Sequence, residues 1–206
     1  DGANAFAFKL HQFISQGGAV YAPLERPEGR LLTLEGQVYA PGAEERLLYP
    51  LQFCRICGQE YYAVTWRKKD RKLLPWAEGA LGKPEDDPTI GYVMPDLDNR
   101  WQDEEAALPE HWFEPARPTK LKKDYAPYRP QRLFVRANGE IADGDTPDAI
   151  LAWFLPQPFM LCLACGEAYT RRDSNDFRKL SALSSEGRST ATTLLALTTV
   201  GAMRDS

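Results

Sequence analysis

The apolar positions change period several times along the chain. Residues 5–16 place Phe6, Leu10, Phe13 and Ile14 at helical spacing before Gly17-Gly18 stops the run, which predicts a helix within an N-terminal connector of residues 1–18. From Ala19 the pattern becomes strand-like, over 19–22, 31–34 and 37–39. Pro27, Gly29, Gly36 and Pro41-Gly42 separate these short runs, as in a small antiparallel sheet. Two longer runs, 47–53 and 60–67, lead into and out of a Cys-rich turn. Residues 133–136 and 140–142 predict a tight hairpin through Asn138-Gly139. Thr146 fits a helix N-cap and Pro147 the first helical position, so a short helix is expected through Phe154. Near the end, Ser189 suits an N-cap, and Leu194, Leu195, Leu197, Val200 and Met203 form an apolar stripe over 190–204. The expected fold class is α+β. Short antiparallel sheets would occupy residues 19–172, with helices at both ends and a C-terminal connector over 173–206.

Two short motifs organise this pattern. Cys54-Arg-Ile-Cys57-Gly-Gln-Glu-Tyr61 and Cys162-Leu-Ala-Cys165-Gly-Glu-Ala-Tyr169 are near copies, and together they hold every cysteine of the chain. A CxxC turn aims both thiolates at one ion, and Gly58 and Gly166 suit the following position, where positive φ is often needed. Two such turns supply the four sulfurs of a tetrahedral structural zinc site, with strands entering and leaving as in a zinc ribbon. Between Cys57 and Cys162 lie 104 residues, against roughly 15–20 in a compact ribbon. Closure entropy grows only logarithmically with length, so a long insertion over about 67–160 is tolerable. Two disulfides, or a redox or iron–sulfur role, are the competing uses of four cysteines. Nothing else in the chain suggests secretion.

Charge changes the picture locally more than globally. The net charge is −4 and the pI near 5.3, which argues against a simple nucleic-acid coat but leaves room for a basic face. Arg67, Lys68 and Lys69 belong to one basic run. Residues 85–114 carry ten acidic side chains against Arg100, and residues 117–136 swing to a net of +6. Within the second basic stretch Lys120, Lys122, Lys123, Arg129 and Arg132 interleave with Tyr125, Tyr128 and Phe134. Cations with aromatics can neutralise phosphates and stack bases. The plainer alternative is that these cations pair with the acids before them, and the acidic stretch itself reads as a solvated face. A docking module is a further alternative, with Trp101 and Trp112 anchoring a partner within a polar rim. No stretch approaches the ~20 apolar residues of a membrane span, and the first residues lack a signal-peptide pattern, so a cytoplasmic location is expected.

There is no GxxxxGK[ST] loop, acidic helicase box, GxSxG elbow or HExxH, and no nucleophile–base pair can be assembled. The chain is not expected to be an enzyme by itself. Three stretches nonetheless resemble a known family: Phe8-Lys9-Leu10-His11-Gln12-Phe13-Ile14, the two cysteine motifs, and Ser185-Glu186-Gly187-Arg188-Ser189-Thr190-Ala191-Thr192-Thr193. They resemble the segment between the two RecA-like lobes of large bacterial DEAD/DEAH-box superfamily 2 helicases. There a helix follows the first lobe, a cysteine-bearing insertion comes next, and a Glu-Gly-Arg-Ser stretch leads into the second. The resemblance implies a fragment of a longer chain with flanking helicase lobes as partners. It also implies ATP-driven work on DNA or RNA, with the ATP machinery outside this segment.

Overall fold

The computed structural model describes residues 19–28, 30–76, 88–173 and 175–182. The helices expected over 5–16, which includes His11, and over 190–204 lie outside these residues. Among the described residues there is no α-helix, only strands and short 3-10 turns, so the α part of the expected α+β class is not found there. The stretch after Thr146 is corrected outright. Ala149–Pro156 is an eight-residue strand, not a helix. Its residues Ile150, Trp153, Phe154 and Leu155 are β-branched, aromatic or large and are buried on both faces. A strand in the middle of a sheet rewards that composition, which overrides the local cap signal.

Chain order gives β1 (Tyr21–Ala22), β2 (Tyr39–Ala40), β3 (Ala43–Leu47), β4 (Tyr49–Cys54), β5 (Glu60–Arg67), β6 (Lys72–Pro75) and β7 (Thr89–Pro95). Then follow β8 (Phe113–Glu114), β9 (Arg117–Leu121), β10 (Gln131–Arg136), β11 (Ile141–Ala142), β12 (Ala149–Pro156) and β13 (Leu180–Ser181). One large antiparallel sheet runs β1-β4-β5-β7-β12-β10-β11, with β13 also on β4 and β6 also on β5. The pairs β2–β3 and β8–β9 form two small separate ribbons. The expected short strands near the start survive as β1, a bridge from Tyr21 to Thr33, and β2. The 133–142 hairpin forms as expected, with Val135 opposite Ile141 and Gly139 at φ 82°.

The large sheet curls back on itself. Leu73 N–H donates to the Gly139 carbonyl at 2.8 Å and Ile141 N–H to the Arg71 carbonyl at 2.9 Å, joining β6 to the β10–β11 turn. A Cβ on Gly139 would stand 2.2 Å from that Leu73 region's carbonyl oxygen, so only glycine permits the closure. Strand alternation then sorts the side chains into two cores. Tyr62, Val64, Val93, Leu133, Val135 and Phe154 fill the inside of the curl. Tyr61, Ala63, Tyr92, Met94, Trp153 and Leu155 point to the other face. There Trp101, Trp112, Phe159 and both buried cysteines cover them.

The first and last described strands share one edge. β1 sets Tyr21 opposite Pro50, and β13 sets Leu180 opposite Cys54 and Ser181 opposite Phe53. Both run antiparallel to β4, head to tail, and their near ends are about 10 Å apart along it.

Candidate metal centre

Each cysteine pair sits in the same local turn. Gly58 N–H donates to the Cys54 carbonyl at 2.8 Å, and Gly166 N–H to the Cys162 carbonyl at 2.9 Å. Cys54 N–H then bonds the Gln59 carbonyl and Cys162 N–H the Glu167 carbonyl. Gly58 and Gly166 adopt φ of 76° and 75°, the left-handed region anticipated for the residue after the turn. The first turn joins β4 to β5, which pair directly. The second follows β12 after a cis Gln157–Pro158 peptide, and is closed by a bridge from Leu161 to Ala168.

The two turns meet although 104 residues separate them. The four Sγ atoms of Cys54, Cys57, Cys162 and Cys165 lie within 4.8 Å of one another, and no disulfide links them. Cys57 Sγ and Cys162 Sγ are 3.7 Å apart. Tetrahedral sulfurs about 2.3 Å from one ion stand roughly 3.8 Å apart, so the sulfurs are spaced to share an ion. A four-sulfur tetrahedral set suits zinc or iron. Cys54 and Cys162 are buried whereas Cys57 and Cys165 are exposed, so the site is a staple with one open side.

Hydrogen bonds treat the sulfurs unequally. The Tyr61 hydroxyl donates to Cys162 Sγ at 3.2 Å and accepts the Leu163 N–H at 3.0 Å. Burial, and next the Cys162 sulfur, holds the Tyr61 phenol far above its ordinary range, so Tyr61 enters as a donor. Burial opposes ionisation of Cys162, but Tyr61 and the N–H groups of Cys165 and Ala164 outweigh it and leave that thiol below its usual value. Cys54 and Cys165 lack a hydroxyl donor, and burial outweighs their backbone N–H donors, pushing Cys54 up to about 11 and Cys165 up to about 12. An ion with its own positive charge is the natural reason to gather four thiols here, because it favours the thiolates that burial disfavours.

A side-chain clasp closes the far side of this core. Asp176 accepts from Tyr92 Oη at 2.9 Å, from the Phe159 N–H at 2.9 Å and from Lys179 Nζ at 3.0 Å. Lys179 is 1% exposed and also donates to the Phe159 carbonyl at 2.7 Å. Asp96, 3% exposed, accepts from the N–H groups of Arg100 and Trp101 and from the Trp153 indole at 3.0 Å. Asp96 thus departs from the solvated face expected of the acidic stretch over 85–114. Sequence reasoning missed Tyr61, Asp176 and Lys179. Only the tyrosine left a trace, as the repeated residue that follows each glycine by three.

The predicted basic residues divide. Lys68, Arg129 and Arg132, from two separate runs, line one open groove of about 630 Å³ together with Thr89, Gln131, Pro156 and Asp103. Arg129 pairs with Asp103 at 3.0 Å, Lys68 lies over the Trp66 ring and Arg132 over the Phe134 ring. The others do not line this groove. Arg67 faces Asp70 at 3.8 Å, Lys120 pairs with Glu114 at 2.7 Å, and Lys122 donates to the His111 carbonyl at 2.7 Å. Lys69 and Lys123 are exposed elsewhere on the surface. Pairing with the preceding acids thus accounts for Lys120 and Arg129. Trp101 and Trp112, the anchors of a docking module, are 6% and 0% exposed and belong to the outer core.

The chain is a curled antiparallel sheet whose outer core is closed by four cysteines able to hold a metal ion. No protein-family model, curated protein or solved structure matches it. No helix of the described residues is long and apolar enough to cross a membrane.

Proposed function

We propose that this chain is a zinc-stapled accessory domain that grips nucleic acid beside the RecA-like lobes of a superfamily 2 helicase. Zinc is the metal we favour because four cysteine sulfurs gathered within 4.8 Å could fill all four positions of a structural zinc site. The observation that carries nucleic-acid contact is the groove. Lys68 from the β5–β6 turn meets Arg129 and Arg132 from the other basic run, so two charge runs far apart in sequence act on one surface. Rings beneath Lys68 and Arg132 hold those cations forward, and backbone phosphates are the ligand such a row fits. Entry and exit strands adjoining on β4 suit a domain carried between two flanking lobes. The ATP chemistry belongs to those lobes, and the domain works in the cytoplasm on DNA or RNA.

Fluorescence anisotropy with single-stranded and forked DNA across a salt series tests this. Binding should weaken steeply with salt. The double variant Lys68→Glu/Arg132→Glu should lower affinity for every sequence and reduce the salt slope by roughly 2. Binding of the variant equal to that of the parent would remove the groove from the reading. Metal analysis of the same sample should return one zinc per chain.

A further inference from the structure

A crevice of about 210 Å³ is lined by Trp76, Phe177, Gln52, Gln157 and Asn175, together with Tyr92 and Asp176. Drug-sized pockets run to about 300–1,000 Å³, so this one has room for a single flat ring system. Its aromatic edge is unusual. Phe177 is 76% exposed, yet its backbone is tightly held. Phe177 N–H donates to Asn175 Oδ1 at 3.0 Å and its carbonyl accepts from Arg55 Nε at 2.8 Å. The residues on either side are pinned too, Asp176 by its three donors and Lys179 N–H by the Asp176 carbonyl. An exposed ring on a clamped turn is pre-positioned for contact and loses little freedom when it makes one.

The rest of the crevice specifies the ligand. Asp176 is saturated by Tyr92, Phe159 and Lys179, so no carboxylate is left to call for a cation. The remaining polar groups are side-chain amides: Asn175 keeps its NH2 as a donor, its Oδ1 being taken by the Phe177 N–H, and Gln52 and Gln157 add theirs toward a planar edge. Arg55 holds the Phe177 carbonyl from outside the crevice. Groove and crevice both border β7 and β12 but on alternate faces: Thr89 and Pro156 line the groove, Tyr92 and Gln157 the crevice, so a strand has to turn over the end of the sheet to reach from one to the other.

We infer that the crevice takes one unpaired nucleobase of a strand whose backbone lies in the Lys68–Arg132 groove. This rests on the nucleic-acid reading above and adds that the strand is single, since a paired base has no free face or edge to offer. The base stacks on Phe177 with Trp76 opposite, and the amides meet its edge.

Two oligomers of equal length, oligothymidylate and its abasic counterpart, separate base from phosphate contacts in anisotropy at one salt concentration. The parent chain should bind oligothymidylate more tightly, and Phe177→Ala should cut that preference by roughly fivefold to a hundredfold. Phe177 is exposed, so folding should survive, and Gln52→Ala gives a second, smaller loss of the same preference. Lys68→Glu/Arg132→Glu should weaken both oligomers equally and keep their ratio. Equal binding of the two oligomers by the parent chain, or a ratio unchanged in Phe177→Ala, overturns the crevice and leaves the groove standing. Binding of neither oligomer overturns both.

Discussion

The two cores use alternate residues of the same strands yet close in different ways. The inner core is sealed by backbone. The β6 segment and the β10–β11 turn exchange hydrogen bonds, and Tyr49 Oη donates to the Leu73 carbonyl inside. The outer core is sealed by side-chain chemistry, mostly between remote residues: Tyr61 with Cys162, Asp96 with Trp153, Asp176 with Tyr92 and, locally, with Lys179. A core closed by its own ladder depends on apolar area and hairpin geometry. A core closed by thiols and buried charges depends on every partner being present, because one lost partner strands another in a dry place. The inner core should therefore tolerate loss of the metal, and the outer one should not.

Removing the metal is the strongest test of that difference. Chelation, or Cys54→Ser with Cys162→Ser, should cost on the order of 10 kcal/mol of metal-linked stability, the scale of small structural zinc sites. Hydrogen exchange should show amides of 160–169 and β13 losing protection while those of β7, β10 and β12 keep theirs. Simultaneous loss everywhere would make the two cores one cooperative unit and end the comparison. Next in size, Asp96→Ala should lower stability by about 3 kcal/mol or more, since three donors lose a charged acceptor. Urea denaturation measures the loss, and the near-ultraviolet signal of Trp101 and Trp153 should change with it.

Tyr61→Phe is smaller and more specific. Deleting one hydroxyl should cost about 1–2 kcal/mol. It should also shift the thiolate-to-metal charge-transfer band of the cobalt-loaded protein and speed metal loss to a chelator. An unshifted band with the same loss of stability would reduce Tyr61 to a packing residue. The smallest expected effect concerns the end of the large sheet just before β12. The neighbouring Thr146 side chain, and then the Arg136 guanidinium donating to Asp148 at 2.6 Å, hold that carboxyl below its usual value. Its folded pKa lies below the unfolded one, so its contribution is present above the ordinary value of 3.8 and is lost as pH falls below it. A melting-temperature profile between pH 6 and 2, chosen as roughly spanning the carboxylate range, should be slightly flatter in Asp148→Asn.

Much of the inner core was legible in the sequence because strand periodicity and turn chemistry are local. The runs at 60–67 and 133–142 became β5 and the β10–β11 hairpin, and Asn138-Gly139 made the expected turn. The metal ligands were legible for a related reason, since a repeated CxxC-Gly-x-x-Tyr encodes its own turn. The stretch from Thr146 misled because a cap signal is worth about 1 kcal/mol, less than a central strand gains by burying Trp153 and Phe154 on opposite faces. The outer core was largely hidden. No local pattern says that Asp96 turns inward beneath Trp153, or that Asp176 and Lys179 return to clamp Tyr92 and Phe159. Such pairs are long-range events, visible only once the sheet has brought the segments together. The groove shows the same limit, because both basic runs could be seen but not their meeting at Lys68 and Arg132.

Because β1 and β13 meet head to tail on β4, tension between the two chain ends would act as a peel and not as a shear. Val20 accepts from Leu51 N–H at 2.7 Å and Ser181 faces Phe53, so both ends leave the edge at nearly one point. Each cross-strand hydrogen bond then bears the load singly. On the exit side the two-residue β13 yields first. The Asp176–Lys179 clasp on Tyr92 and Phe159 is the next link in that series, and behind it the metal sets how far a pull on this end can open the domain.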